Sequence, residues 1–300
     1  MGLRLLILAI LLTACTAGTA EPPRLELVGR IDIPELDEAS GLARSQLDPD
    51  VMWVHNDDGK PRVYAFDKAG ETRGRLTLED VKNRDWEDLS SFTLDGEPYL
   101  LIADVGDNMR RRKSVFLYIV EEPDLADDDK VRTDVAWEIK IQFPDGPRDV
   151  EAVAVDVKNE RVLLLSKRNL PPVLYSVPLR PTGDRVTATR LGAVRSLPPP
   201  KRSDVMAAPK TKSWFWQPTA MDLHGDTAII LTYRALYWYK RQPDESWFDT
   251  LNRTPTAQSL GRIPGAESAT IGADHSAAFI TVERKKPPFY RAPIPQEDLQ

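Results

Sequence analysis

From Arg24 onward, short runs of apolar, β-branched and aromatic residues are separated by Gly, Asp, Asn and Pro, with little sustained 3.6-residue hydrophobic period. This pattern predicts strands. The clearest are Val51 to His55, Arg62 to Phe66, Tyr99 to Ala103, Val115 to Val120, Arg161 to Ser166, Val173 to Val177, Ala228 to Thr232, Ala235 to Tyr239 and Ala277 to Val282.

Several strands are opened by related segments: Glu38-Ala39-Ser40-Gly41-Leu42, Glu87-Asp88-Leu89-Ser90, Glu151-Ala152-Val153-Ala154, Thr219-Ala220-Met221-Asp222 and Glu267-Ser268-Ala269-Thr270. They recur at intervals of about 50 to 70 residues, the length of a four-stranded propeller blade. After each opener comes a second strand with a polar end, at His55-Asn56-Asp57-Asp58, Asp104-Val105-Gly106-Asp107-Asn108, Ser166-Lys167-Arg168, Thr232-Tyr233-Arg234 and Val282-Glu283-Arg284. The expected fold is therefore all-β: a β-propeller of about five four-stranded blades. The last blade, Glu267 to Pro293, has room for only three strands, and the N-terminal segment Arg24 to Pro34 is assigned the outer strand that closes the ring. Two alternatives stand beside this reading, an open or two-sheet sandwich with fortuitous repetition and a sixth blade within Arg180 to Pro218. The proline-rich Pro198 to Arg202 reads as a loop, so residues 24–300 form one domain.

The first residues carry a targeting pattern. Arg4 precedes the apolar run Leu5 to Leu12, which is too short to span a bilayer, and Leu12-Thr13-Ala14-Cys15 resembles a bacterial lipobox. Cys15 is the only cysteine, so internal disulfides are absent, and lipidation at Cys15 is the expected fate of its thiol. The alternative is ordinary cleavage after Ala20 with Cys15 discarded. Residues 1–15 are thus assigned as a lipoprotein signal peptide and residues 16–23 as a tether. Thr16 is not the aspartate that retains a lipoprotein in the inner membrane. The expected location is membrane-anchored and periplasm-facing, in the outer membrane of a host that has one.

A hydrophobic fraction of 41% supports a full core, and a net charge of −6 with interspersed signs gives none of the one-sided basic surface that nucleic acid requires. In a blade the start of the first strand and the end of the second share a face, so both motif sets converge on one channel mouth. That mouth would gather Glu38, Asp57, Asp58, Glu87, Asp88, Asp104, Asp107, Asn108, Glu151, Lys167, Arg234, Glu267 and Glu283. Clustered carboxylates repel unless a cation neutralises them, and oxygen ligands suit Ca²⁺ or Mg²⁺. Glu38, Glu87, Asp104, Asp107, Asn108, Glu151 and Glu267 are the candidate metal ligands. Lys167, Arg234, His55, Asp57 and Glu283 are the candidate ligand-binding residues. An equally simple reading is that the acids cap turns and pair with Arg148, Lys167, Arg234 and Arg284. Asp104 to Asn108 lacks the spacing of an EF-hand loop, Arg110 to Lys113 reads as a solvated turn, and Trp214, Phe215 and Trp216 could line a rim or pack between blades.

The motifs Trp53-Val54-His55-Asn56-Asp57-Asp58-Gly59, Asp85-Trp86-Glu87-Asp88, Gly106-Asp107-Asn108, Val150-Glu151-Ala152 and Ser166-Lys167-Arg168 resemble those of an uncharacterised family of bacterial exported propellers, over most of residues 38–283. More remotely they are similar to esterase-like phytase propellers. The resemblance implies the fold more firmly than an activity. The chain departs from the pattern at Asp58, where Ser is usual, and at Thr219, where other blades carry Glu.

No His pair at i and i+4, Gly-x-Ser-x-Gly elbow or phosphate-binding Gly loop is present, and no nucleotide or organic cofactor is expected. Three functions follow. The mouth binds a small anionic ligand or an envelope protein, with Ca²⁺ as the implied ion and the chain a monomer. Alternatively it is a metal-dependent hydrolase of the phosphoesterase, esterase or lactonase type, with Glu38, Glu87, Glu151 and Asp107 as ligands and Lys167 and Arg234 holding the anion. Thirdly, the acids are purely structural. Binding ranks above catalysis because no complete nucleophile-base pair is visible and His55 is more simply a hydrogen-bonding blade residue.

Overall fold

Strands buried on both faces need near-continuous apolar runs, whereas strands at a surface alternate. Both patterns occur here, sorted by distance from one axis. The computed structural model describes residues 24–126, 128–199, 216–261 and 263–295. Within these, five sheets, each built on four antiparallel strands, stand side by side in a ring, the arrangement of a five-bladed β-propeller. Their innermost strands are Ala39–Arg44, Trp86–Leu94, Val150–Asp156, Pro218–His224 and Ala266–Ile271. Val150–Asp156 is buried at every position, while Trp137–Gln142, on the outside of blade 2, alternates with only Ile139 and Ile141 fully covered.

Each blade face packs on its neighbour, so every seam holds its own apolar cluster. Trp53 and Trp86 meet between blades 1 and 2, Leu101 and Val153 between 2 and 3, Leu165 and Ile230 between 3 and 4, and Trp238 and Ile280 between 4 and 5. The seam between blades 5 and 1 closes the ring on Phe66, Phe279 and Phe289, with the Phe66 and Phe289 rings edge to face at 5.2 Å.

The N-terminal strand Glu26–Arg30 pairs antiparallel with Pro288–Pro293, the third strand of blade 5, and so supplies its outer strand as expected. Ile31, Ile33 and Leu36 then enter the closing seam fully buried. No sixth blade forms among the described residues of Arg180 to Pro218: Val186–Thr187 adds to the edge of blade 2 and Thr189–Ala193 completes blade 3. Lys130–Thr133 likewise adds a parallel strand to the edge of blade 1. Both additions cover outer edges that would otherwise present unpaired backbone groups.

A repeated irregularity positions the channel mouth. The ladder of each inner strand with its second strand slips by one residue near its start, between Ala39 and Gly41, Trp86 and Asp88, Val150 and Ala152, Pro218 and Ala220, and Ala266 and Ser268. The bulged residues are Ser40, Glu87, Glu151, Thr219 and Glu267. A bulge re-aims its side chain out of the pleat. The equivalent of the other blades' glutamates in blade 1 is thus Ser40, and Glu38 corresponds in register to Asp85 and Asp149.

Candidate functional site

Channel-facing inner strands leave one row of backbone N–H groups without a ladder partner, and such groups must find acceptors. Two carboxylates accept from five inner-strand N–H groups. Asp88 of blade 2, fully buried, accepts from its neighbour Leu89 N at 2.9 Å, from Val153 N of blade 3 at 2.7 Å and from Met221 N of blade 4 at 3.2 Å. Asp222 of blade 4 accepts from Leu223 N at 2.8 Å and from Ile271 N and Thr270 Oγ1 of blade 5 at 2.8 and 2.9 Å. Arg44 of blade 1 completes its set at 3.2 Å. The ring is stitched across its axis by this waist, with burial raising the Asp88 carboxyl well above its ordinary range against the N–H donors that favour its ionised form. Asp88 therefore lies below the mouth and not in it.

Above the waist, the bulged Glu87 and Glu151 face one another with Asp149, each offering an oxygen within 4.8 Å of the others. Asp149 is already engaged: one oxygen accepts from Asp107 N at 2.9 Å and the other from Arg168 Nε at 2.5 Å. The Lys167 ammonium is paired with Glu151 and lies 3.5 Å from the Tyr233 hydroxyl, which donates to Glu267. One chain of contacts thus crosses from blade 3 through blade 4 to blade 5. Burial, the adjacent Asp85 and other nearby acids push Glu87 well above its usual range, against the Lys167 charge. Gly106 explains how Asp85 and Glu87 fit together, because a Cβ at that position would overlap both carboxyl groups.

The remaining acids of blade 2 are engaged by backbone groups or by a cation. Asp107 accepts from Arg111 N and Arg112 N at 2.8 Å each, Asn108 accepts from Arg168, and the fully buried Asp104 pairs with Arg112 at 2.7 Å. Arg112 therefore turns inward, so the basic run Arg110 to Lys113 is more than a solvated turn. His55 is fully buried, its ring nitrogens 3.1 and 3.2 Å from the Asn56 and Asp88 carbonyls, and burial lowers it to about 4. It holds two strands together, and Gly41 leaves the space for its ring.

At the mouth end of blade 1 the acids have no such partners. Glu38, Asp57 and Asp58 offer oxygens within 4.8 Å of one another. Among the described residues none of the three lies within 4.0 Å of a Lys or Arg nitrogen, and Asp57 Oδ1 is occluded without a hydrogen-bond donor. Burial, and then Glu38 and Asp58, push Asp57 up to about 7. Glu283, hydrogen-bonded to Glu267 and facing Glu38, is likewise pushed up to about 7 by burial and these neighbours.

Across the opening stand Lys167, Arg168 and the exposed Arg234, whose guanidinium lies 5.2 Å above the Trp216 ring. Trp214, Phe215 and Cys15 fall outside the described residues. Sequence reasoning missed Asp149, Asp85 and Tyr233. The pattern Asp85-Trp86-Glu87 and Asp149-Val150-Glu151, an acid two residues before each bulge, is the signal that finds the first two.

No protein-family model matches the chain, and no curated protein matches it significantly.

Proposed function

We propose that the chain is an exported, lipid-anchored propeller whose mouth binds a divalent cation at the mouth end of blade 1 and, through it, a small anionic ligand or the acidic group of an envelope protein. The observation that carries this reading is the Glu38, Asp57 and Asp58 cluster, three convergent carboxylates with an occluded, donor-less oxygen and, among the described residues, no ion-paired cationic side chain. The donor set is all oxygen, half-buried to exposed, which fits Ca²⁺ better than a metal demanding nitrogen or sulfur. Glu87, Glu151 and Asp149 fit less well, since Lys167 and Arg168 already neutralise two of them. A bound Ca²⁺ supplies positive charge to an incoming anion, while Lys167, Arg168 and Arg234 face that anion from the opposite rim.

The test is thermal melting of residues 16–300 with chelator and then with Ca²⁺ or Mg²⁺, since native-state binding raises the midpoint by mass action. A saturable rise that Asp57→Asn removes is the expected result; no rise with either ion overturns the cation site. The anchor is tested separately, because Cys15→Ala in the full chain should release the protein from membranes, and continued membrane association would refute lipidation at this residue.

Among the described acids, Asp104, Asp107 and Asp149 support a different role. Asp104 is ion-paired with Arg112, and the oxygens of Asp107 and Asp149 are taken by backbone N–H groups and by Arg168, so on blades 2 and 3 the carboxylates hold loops in place.

A further inference from the structure

The channel has a second end, and its chemistry is the reverse of the mouth's. Where the inner strands finish, Arg44, Lys158 and Arg241 line a cavity of about 260 Å³ below the waist. Arg44 is only 8% exposed, and its one side-chain acceptor among the described residues is Asp222, through Nη1 at 3.2 Å. Lys158 and Arg241 have no carboxylate within 4.0 Å among the described residues; the Arg241 guanidinium instead lies 4.4 Å over the Trp247 ring, which fixes its direction. Two acids belong to the same wall. Asp156 is held by Asn159 Nδ2 at 2.7 Å and Asp222 by its four donors, Arg44 among them, so of the three cations only Arg44 has a carboxylate partner among the described residues.

His224 and His275 stack beside this cavity with ring centroids 3.4 Å apart, and His224 Nδ1 is occluded without a hydrogen-bond partner. Burial and then the Arg44 charge lower both imidazoles, so this end of the channel disfavours further positive charge. The cavity opens into a larger cleft of about 700 Å³ between blades 3 and 4, with which it shares Asp156, Lys158, Arg241 and Trp247 and whose lining adds Asp226, Asp244 and Glu245.

We infer that this floor is a second binding site, for a small oxyanion held by Arg44, Lys158 and Arg241, with the adjoining cleft receiving the organic part of a larger ligand. Two guanidinium groups and an ammonium converging on one cavity match the oxygen lone pairs of a phosphate or carboxylate. The waist separates the floor from the mouth, so the site is independent of the cation proposed there.

The experiment is NMR of the histidine ring protons in residues 16–300 during titration with inorganic phosphate and, in a second arm, acetate, each against chloride at matched ionic strength. His224 and His275 should shift saturably with at least one oxyanion, and the His275 pKa should rise, because an anion opposite Arg44 offsets the charge that lowers it; Asp226, Asp274 and Lys240 also face that ring. Phosphate binding tighter than acetate assigns a phosphoryl ligand, and the reverse assigns a carboxylate. Lys158→Ala, an exposed residue whose loss leaves the fold intact, should weaken binding about tenfold, the equivalent of one charge-assisted hydrogen bond. Shifts that chloride reproduces, or that Lys158→Ala and Arg241→Gln leave unchanged, overturn the site.

Discussion

The mouth and the waist of the channel are built from the same residue type and behave in opposite ways. At the waist, Asp88 and Asp222 are surrounded by inner-strand N–H groups, each oxygen has a donor, and the carboxylates tie together blades that are far apart in sequence. At the mouth end of blade 1, Glu38, Asp57 and Asp58 have one another for neighbours and lack cationic partners among the described residues. Donor supply, more than acid content, separates a structural carboxylate from one open to a ligand. Within the mouth the same contrast divides the paired Asp149 and Glu151 from the unpaired Asp57.

The sharpest break of this comparison is at the waist. Asp88→Ala orphans three buried N–H groups, and at about 1 to 3 kcal/mol each the ring should lose at least about 3 kcal/mol of stability in denaturant unfolding. Asp88→Asn, which keeps an acceptor, should lose less. Equal melting of both variants and wild type would show that the stitch does not hold the blades.

A smaller effect is expected where the structural and open acids adjoin. Gly106→Ala forces a methyl group against Asp85 and Glu87 and should cost about 1 to 3 kcal/mol, measured the same way. An unchanged midpoint would mean that the two carboxyl groups move apart freely.

The smallest effect distinguishes the open acids by pH. Asp57 and Glu283 take up protons near 7 in the folded chain but near 4 when unfolded, so the native state is the more protonated one between those values. Without metal, stability should rise as pH falls from about 8 to about 6.5, before unfolded histidines begin to draw protons. The groups facing them are Glu38 and Asp58 for Asp57, and Glu267, Glu38 and Lys167 for Glu283. The double variant Asp57→Asn, Glu283→Gln should flatten that slope, and a slope identical to wild type would reassign it to other groups.

Much of this was legible in the sequence. Strand positions, the five openers and the closing role of Arg24 to Pro34 follow from apolar runs and from a last blade one strand short. The ring position of blade 1 did not, because a bulge adds a residue that no periodicity reveals: aligning glutamate with glutamate selects Glu38, whereas the register selects Ser40. His55 and Asp88 read as mouth residues because polar groups at strand ends usually face solvent. Their burial depends on backbone partners from the neighbouring strand and, for Asp88, from other blades. Asp222 stands in an opener but nothing there marks it as a tie between blades, and the floor cations Arg44, Lys158 and Arg241 lie at or just past the far ends of strands, outside any motif.

The pairing of the first strand with the last has a consequence for the order of assembly. Glu26 and Arg291, ion-paired across the closing blade, are 265 residues apart, so the chain's opening strand is made long before the one it joins. Until then it is a lone edge with Leu27 bare, and only its flanking charges, Glu26 and Arg30, discourage it from pairing with another molecule. Non-local contacts of this kind reward the chain only after the loop-closure entropy has been met, which slows folding. The ring should therefore remain open, and exposed to aggregation, until the C-terminal blade is complete.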